Sequence, residues 1–210
     1  MTAFREQVNA YIAANLSPAA RSKILADVAR SGVAALVASG RAPPVYQTFV
    51  DGRQGADAST VRGDGGGVIL YRFSYQAQAA VFALAFLKAR GPSRSGRFRN
   101  AFYFGVDGRF VPEAQFNPAS VPPGAEITIG NTEPYARKID VQLEGNRRLH
   151  VSVPAGMFDD CVVALRSAFR GVIAVKRVYS LRFPGQYIRR TGVGRGTPTQ
   201  SPALIISAVI

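Results

Sequence analysis

The chain has 210 residues, with 26 Lys and Arg against 13 Asp and Glu, a net charge of +13 and a hydrophobic content of 47%. That apolar share supplies a core and excludes wholesale disorder, and the length fits one domain with extensions or a domain and a small lobe. A single cysteine, Cys161, excludes an internal disulfide and a cysteine-based metal cluster, while the basic excess points to a polyanionic neighbour, nucleic acid or an acidic protein surface.

Residues 2–15 read as a helix in which Phe4, Val8, Tyr11 and Ile12 recur at i, i+4, i+7 and i+8. No signal peptide is expected there, and no run in the chain reaches the ~18–20 apolar residues of a membrane span. Ser17 and Pro18 restart the helix as cap and first helical position. The second helix carries Ile24, Leu25, Val28, Leu36 and Val37 to about Gly40. Residues 1–40 are thus expected to form a helical arm whose apolar stripe needs a partner surface. Residues 41–210 are expected to form the main domain.

Residues 45–50 alternate as a strand and 68–73 return as a strongly apolar one around a Gly-rich segment, 51–67, expected to be a long flexible loop or hairpin tip. Its Gly63–Gly67 run lacks the Gly-Lys-Ser/Thr of a phosphate loop. Residues 74–90 form an apolar helix that Gly91 and Pro92 stop. A compact basic loop leads into a strand at 102–106, and Asp107-Gly108 signals a primed hairpin turn. After a Pro-rich loop, a strand from Glu126 turns at Pro134 into a short helix reaching Leu143.

Residues 147–153 read as a strand with Leu149, Val151 and Val153 on one face and Arg148, His150 and Ser152 on the other, which makes His150 a solvated sheet residue. Residues 156–170 form an amphipathic helix with Phe158, Val162, Leu165 and Phe169 inward. Asp159 and Asp160 favour its positive end, and Cys161 reads as a small core residue. A long strand is expected over 172–183, a loop over 184–202, and a last strand over 203–209 that closes the sheet. No internal repeat is read along the chain. The fold class is α+β: a mostly antiparallel sheet packed by helices, with an N-terminal helical arm and long loop extensions.

Residues 88–109 hold six bases (Lys88, Arg90, Arg94, Arg97, Arg99, Arg109) and one acid, Asp107. Inside this stretch Pro92-x-x-Ser95-Gly96-Arg97-Phe98-Arg99-Asn100-Ala101 follows the helix end. A later strand ends in Asn131-x-x-Pro134-Tyr135-Ala136. A small hydroxyl residue followed by Gly supports a tight turn with a side-chain-to-backbone hydrogen bond. Alternation along an extended segment would turn Phe98 inward and Arg97 and Arg99 outward together.

This order of helix, turn, strand and Pro-Tyr-Ala resembles the head–tail joining and tail-completion proteins of tailed bacteriophages, the minor tail protein Z type among them. In that family the turn reads Pro-x-x-Thr-Gly-x-Leu-Arg-x-Ser, so Ser95 stands for the Thr, Phe98 for the Leu and Ala101 for the Ser. The family's acidic-glycine element after Pro-Tyr-Ala is missing; Arg137-Lys138-Ile139-Asp140 stands there instead. The resemblance covers about the middle third of the chain. It implies a virion subunit, made in the host cytoplasm, that forms a homo-oligomeric ring of six or twelve copies around the DNA channel at the head–tail junction. Such a neck, tail-completion or terminator subunit would touch neighbouring connector and tail proteins and packaged DNA, with no cofactor and no membrane.

The candidate interface residues are Arg94, Arg97, Arg99, Arg109, Arg189 and Arg190, facing DNA or acidic protein, with Phe98 and Tyr135 as structural anchors. One histidine, one cysteine and no usefully spaced carboxylate pair argue against an enzyme. The alternative is a basic nucleic-acid-binding module. Tyr71, Phe73, Phe102, Tyr103 and Phe104 would then form a stacking platform among arginines.

Overall fold

The computed structural model describes residues 2–144, 147–148 and 153–209. Helix α1 (Thr2–Asn15) leads through Ser17 into α2 (Pro18–Ala38), whose N-terminus is capped as expected: the Ser17 hydroxyl accepts the Ala20 N–H at 3.2 Å. From Phe4 to Asn15 every side chain of α1 is exposed. In contrast, α2 buries Ala26 and Val33 and ties Arg30 to Asp57 at 2.9 Å. A Cβ on Gly63 would stand 1.9 Å from the Pro18 carbonyl oxygen, so only glycine permits that approach to α2.

Strands β1 (Tyr46–Val50), β2 (Arg53–Gln54) and β3 (Ile69–Phe73) form an antiparallel sheet in the order β2-β1-β3. The chain divides into two compact units, one ending at Ser74 and the other beginning at Tyr75. The boundary expected at 40/41 therefore falls after β3, because α2 is packed and ion-paired to the segment between β2 and β3.

Residues 51–67, expected to be a flexible tip, are built around Asp51. Its carboxylate accepts the N–H groups of Val68 at 2.8 Å and Arg62 at 2.9 Å, and a 3-10 turn (Ala58–Thr60) capped by Asp57 fills the excursion. The Val68 and Arg62 N–H groups hold the Asp51 carboxyl below its ordinary value. Its stabilisation is present above the ordinary value of 3.8 and is lost as pH falls through the lowered folded one. Asp51→Ala is expected to lower the melting temperature and open residues 52–67 to proteolysis. The deficit should shrink on acidification, and a constant deficit from neutral to acid pH would contradict this.

In the second unit, α3 (Gln76–Arg90), β4 (Phe102–Val106), β5 (Arg109–Pro112), β6 (Ile127–Asn131), α4 (Ala136–Val141), β7 (Leu143–Glu144), β8 (Arg147–Arg148), α5 (Met157–Ala168), β9 (Ile173–Val178) and β10 (Ala203–Ala208) follow in order. The main sheet is antiparallel throughout, ordered β5-β4-β6-β10-β9. Helix α3 lays Ala80, Ala83 and Leu87 against it, and α5 adds Phe158, Cys161 and Leu165. Small residues on α3 let helix and sheet approach closely.

The last strand does more than close the sheet, since β10 runs in its interior between β6 and β9. The strand expected over 172–183 stops at Val178, opposite Ala203 where β10 begins; the preceding Pro202 has no N–H to offer. Helix α4 ends early at Gln142, whose φ is +52°. Of the strand expected over 147–153, Arg147 and Arg148 pair with β7, whereas residues 149–152, His150 among them, lie outside the described residues. The loop at 184–202 folds on itself, with the Arg189 N–H donating to Thr197 and the Gly196 N–H to Arg189, both at 2.9 Å.

The two units repeat one motif, contrary to the sequence reading. Val50-Asp-Gly-Arg53 joins β1 to β2, and Val106-Asp-Gly-Arg109 joins β4 to β5. Both turns place Asp at φ +49° and Gly near +79° (Gly52) or +78° (Gly108), the geometry of a primed turn. Both aspartates exchange main-chain and carboxylate bonds with the residue opening the return strand: Asp51 with Val68, Asp107 with Glu126. Sheet order matches as well, β2-β1-β3 against β5-β4-β6, with Ile69 and Ile127 opposite the two valines. Four identical letters are too few to stand out in a sequence; the shared hydrogen bonds and register reveal the repeat. Among the described residues no helix is long and apolar enough to cross a membrane.

Candidate functional site

Helix α3 ends at Gly91, whose φ of −71° is ordinary. Glycine is required here by proximity rather than by conformation. A Cβ would lie 2.8 Å from the Phe98 ring and 3.0 Å from the Leu87 carbonyl oxygen. Residues 96–100 then wind as a helical turn, with Gly96 at φ +70° and the Asn100 N–H donating to Gly96 at 3.0 Å. This winding replaces the extended geometry expected of the segment, and among the described residues Ser95 makes no side-chain hydrogen bond. Phe98 is 2% exposed and meets Phe102 edge-on at 5.5 Å.

The winding separates the two arginines that alternation would have put side by side. Arg99 turns back to donate through Nε and Nη2 to the Gly91 carbonyl at 3.2 and 3.0 Å, fastening the end of α3. Arg97 stays 71% exposed with Nε 3.4 Å from Glu133. Arg94, Arg109 and Arg190 are exposed, while Arg189 is half-buried and donates to the Val193 carbonyl at 3.2 Å. The six candidates thus divide into open cations and cations committed to their own carbonyls.

The other half of the resembling motif closes on this turn. Buried Asn131 donates to the Phe98 carbonyl at 2.8 Å across 33 residues, and its Oδ1 accepts the Glu133 N–H at 2.9 Å. Thr132 donates through N–H and hydroxyl to Ala101, at 2.8 and 3.2 Å. Ser201 donates to the Asn131 carbonyl at 2.6 Å, tying β10's leading edge to the same knot. Tyr135, half-buried at the start of α4, has its phenol raised by burial and then by the Glu133 charge. One Glu133 oxygen, Oε2, is buried without a hydrogen-bond partner.

A second polar cluster lies one helix further on. Gly156, at the N-cap of α5, has no side chain to offer, so Asp140 of α4 acts as a remote cap: its Oδ1 accepts the Phe158 N–H at 3.2 Å and its carbonyl the Gly156 N–H at 2.7 Å. The other carboxylate oxygen accepts the Tyr179 hydroxyl at 3.0 Å and lies 3.4 Å from Arg177. Arg177 also pairs with Asp159 at 2.7 Å and stands over the Tyr179 ring at 4.8 Å. Burial raises the Asp140 carboxyl, against the lowering pull of the Phe158 N–H, Tyr179 and Arg177. Burial, followed by the Asp140 charge, pushes the Tyr179 phenol up to about 12. The one sequence signal for this cluster is an acid four residues after Ala136, on the buried side of α4.

Cys161 is fully buried, and burial pushes its thiol up to about 12, which keeps it protonated at neutral pH. Among the described residues no three His, Cys, Asp or Glu side chains come together to hold a metal ion. Phe102, Tyr103 and Phe104 are buried in the sheet, so the stacking platform expected on that strand is not exposed; Tyr71 and Phe73 are half-buried. No family model, curated protein or solved structure matches this chain.

Proposed function

We propose that this chain is a non-catalytic structural subunit of a tailed-phage virion, acting at the head–tail junction in a homo-oligomeric ring that joins head to tail around the DNA channel. The supporting observation is the closure of the two motif halves on each other, Asn131 on Phe98 and Thr132 on Ala101. The resemblance rests on those same segments, and they form one rigid corner carrying exposed Arg94 and Arg97. Helix α1 adds to the reading. Its Phe4 is 74% and its Tyr11 66% exposed, an apolar stripe suited to cover by a neighbour. Connector proteins, tail proteins or packaged DNA would meet the open arginines.

The test is electron microscopy of the isolated protein together with in vitro joining of heads to tails. Arg94→Glu with Arg97→Glu should reduce joining at least tenfold while costing about 1–2 kcal/mol of stability, since Arg94 is exposed but Arg97 is the ion partner of the largely buried Glu133. Arg99→Ala should instead lower stability by about 1 kcal/mol through the loss of its bonds to Gly91. Double-reversal protein that joins as well as the parent would reduce the open arginines to solvated charges. Parent protein that forms no ring and joins nothing would sink the reading.

A further inference from the structure

The internal repeat exposes an asymmetry between the units. The return strand of the second unit, β6, has both edges paired, by β4 and β10. Among the described residues its counterpart β3 is paired by β1 alone. The bonds Asp51 N–H to Val68 and Ser74 N–H to Val45, both 2.9 Å, set which main-chain groups face β1. By that register the N–H and C=O groups of Ile69, Tyr71 and Phe73 point away from it. These correspond to Ile127, Ile129 and Asn131, the positions from which β6 bonds β10.

Among the described residues, the other long edges have outward main-chain groups removed or occupied, as β3 does not. On β5 the outward position 112 is proline, which offers no N–H. On β9 the outward Val175 carbonyl is taken by Arg166 at 3.1 Å. On β3 Leu70 is exposed by 57%, and Val68 just before the strand by 59%. An apolar edge in this state is a template for another strand.

We infer that β3 is a self-association edge, pairing antiparallel with β3 of a second copy about a two-fold axis through Tyr71. The strand is self-complementary in that register. Ile69 falls opposite the partner's Phe73, Tyr71 opposite the partner's Tyr71, and all of them present outward main-chain groups. Leu70 falls opposite the partner's Arg72, so no like charges meet directly across the seam. A second copy is favoured over a polyanion because the seam is bonded by main chain and apolar side chains. It is favoured over a foreign strand because one sequence satisfies both sides. The contact stands on the fold and the repeat, independently of the ring reading.

The experiment is sedimentation of the full chain as parent, Leu70→Lys and Leu70→Glu. Leu70 is exposed, so neither change should disturb the fold, which circular dichroism checks. Lysine at 70 faces the partner's Arg72 and should weaken association at least tenfold. Glutamate at 70 faces the same arginine and should preserve or tighten it, more so at low salt. Tyr71→Cys should form a disulfide-linked dimer on oxidation, since directly opposed hydrogen-bonded residues lie about 5.5 Å apart at Cα and native Cys161 is buried. A monomeric parent overturns the inference. So does a parent oligomer equally indifferent to Lys and Glu at 70; if that oligomer is a ring, the head–tail reading survives alone. A dimer split by Leu70→Lys that never closes into a ring supports this contact and counts against the ring.

Discussion

Phe98→Ala is expected to lower stability by about 3–5 kcal/mol, the usual loss for truncating a buried phenylalanine, and a large part of the ~5–15 kcal/mol that holds a domain of this kind. The ring is 2% exposed, sits against Phe102 at 5.5 Å, and fills the space that the missing Cβ of Gly91 leaves open. Its own carbonyl holds Asn131, so loosening the ring also loosens the bond between the two motif halves. Urea melts of parent and variant measure the loss. A change under about 1 kcal/mol would mean that the turn collapses onto the gap at little cost. Phe98→Leu, which keeps a large apolar side chain in the same space, should recover most of the difference.

Asp140→Ala is expected to cost about 2–3 kcal/mol, because it strips the remote cap from α5 and leaves the Phe158 N–H and Tyr179 hydroxyl without their acceptor. Asp140→Asn keeps an acceptor for Phe158 and should lose less. Their pH dependence separates charge from shape. The folded-state value of Asp140 is raised, first of all by burial. Its favourable contribution is therefore fullest below the ordinary value of 3.8 and is lost as pH rises through the raised folded value. The advantage of the parent over Asp140→Asn should be greatest in acid and shrink on going to neutral pH. An advantage that grows with pH would mean that the Phe158 N–H, Tyr179 and Arg177 together outweigh burial at this site. Asp51 runs in the opposite direction, so the two aspartates can be told apart in one titration series.

Local chemistry made much of the fold legible. Ser17-Pro18 starts α2 because a hydroxyl cap and a ring-fixed φ suit a helix start wherever they stand. Asp107-Gly108 is a primed turn because both positions need positive φ, and Asp51-Gly52 carries the same signal inside the segment expected to be a flexible tip. The inward face of α5 followed from its period, and Phe98 reached the core as expected, though through a helical turn rather than by alternation along an extended segment.

The tertiary structure decided the rest. Residues 96–100 wind rather than extend, so Arg97 and Arg99, two apart in sequence, have different tasks: one open beside Glu133, the other holding Gly91. Asn131 and Asp140 act across 33 and 18 residues, and a partner at that distance leaves no trace in local spacing. The central place of β10 and the open edge of β3 are likewise properties of the assembled sheets. Hydrophobic alternation identifies a strand and its faces, but both edges of every strand carry the same backbone groups. Only the order of neighbours says which edge is left to pair.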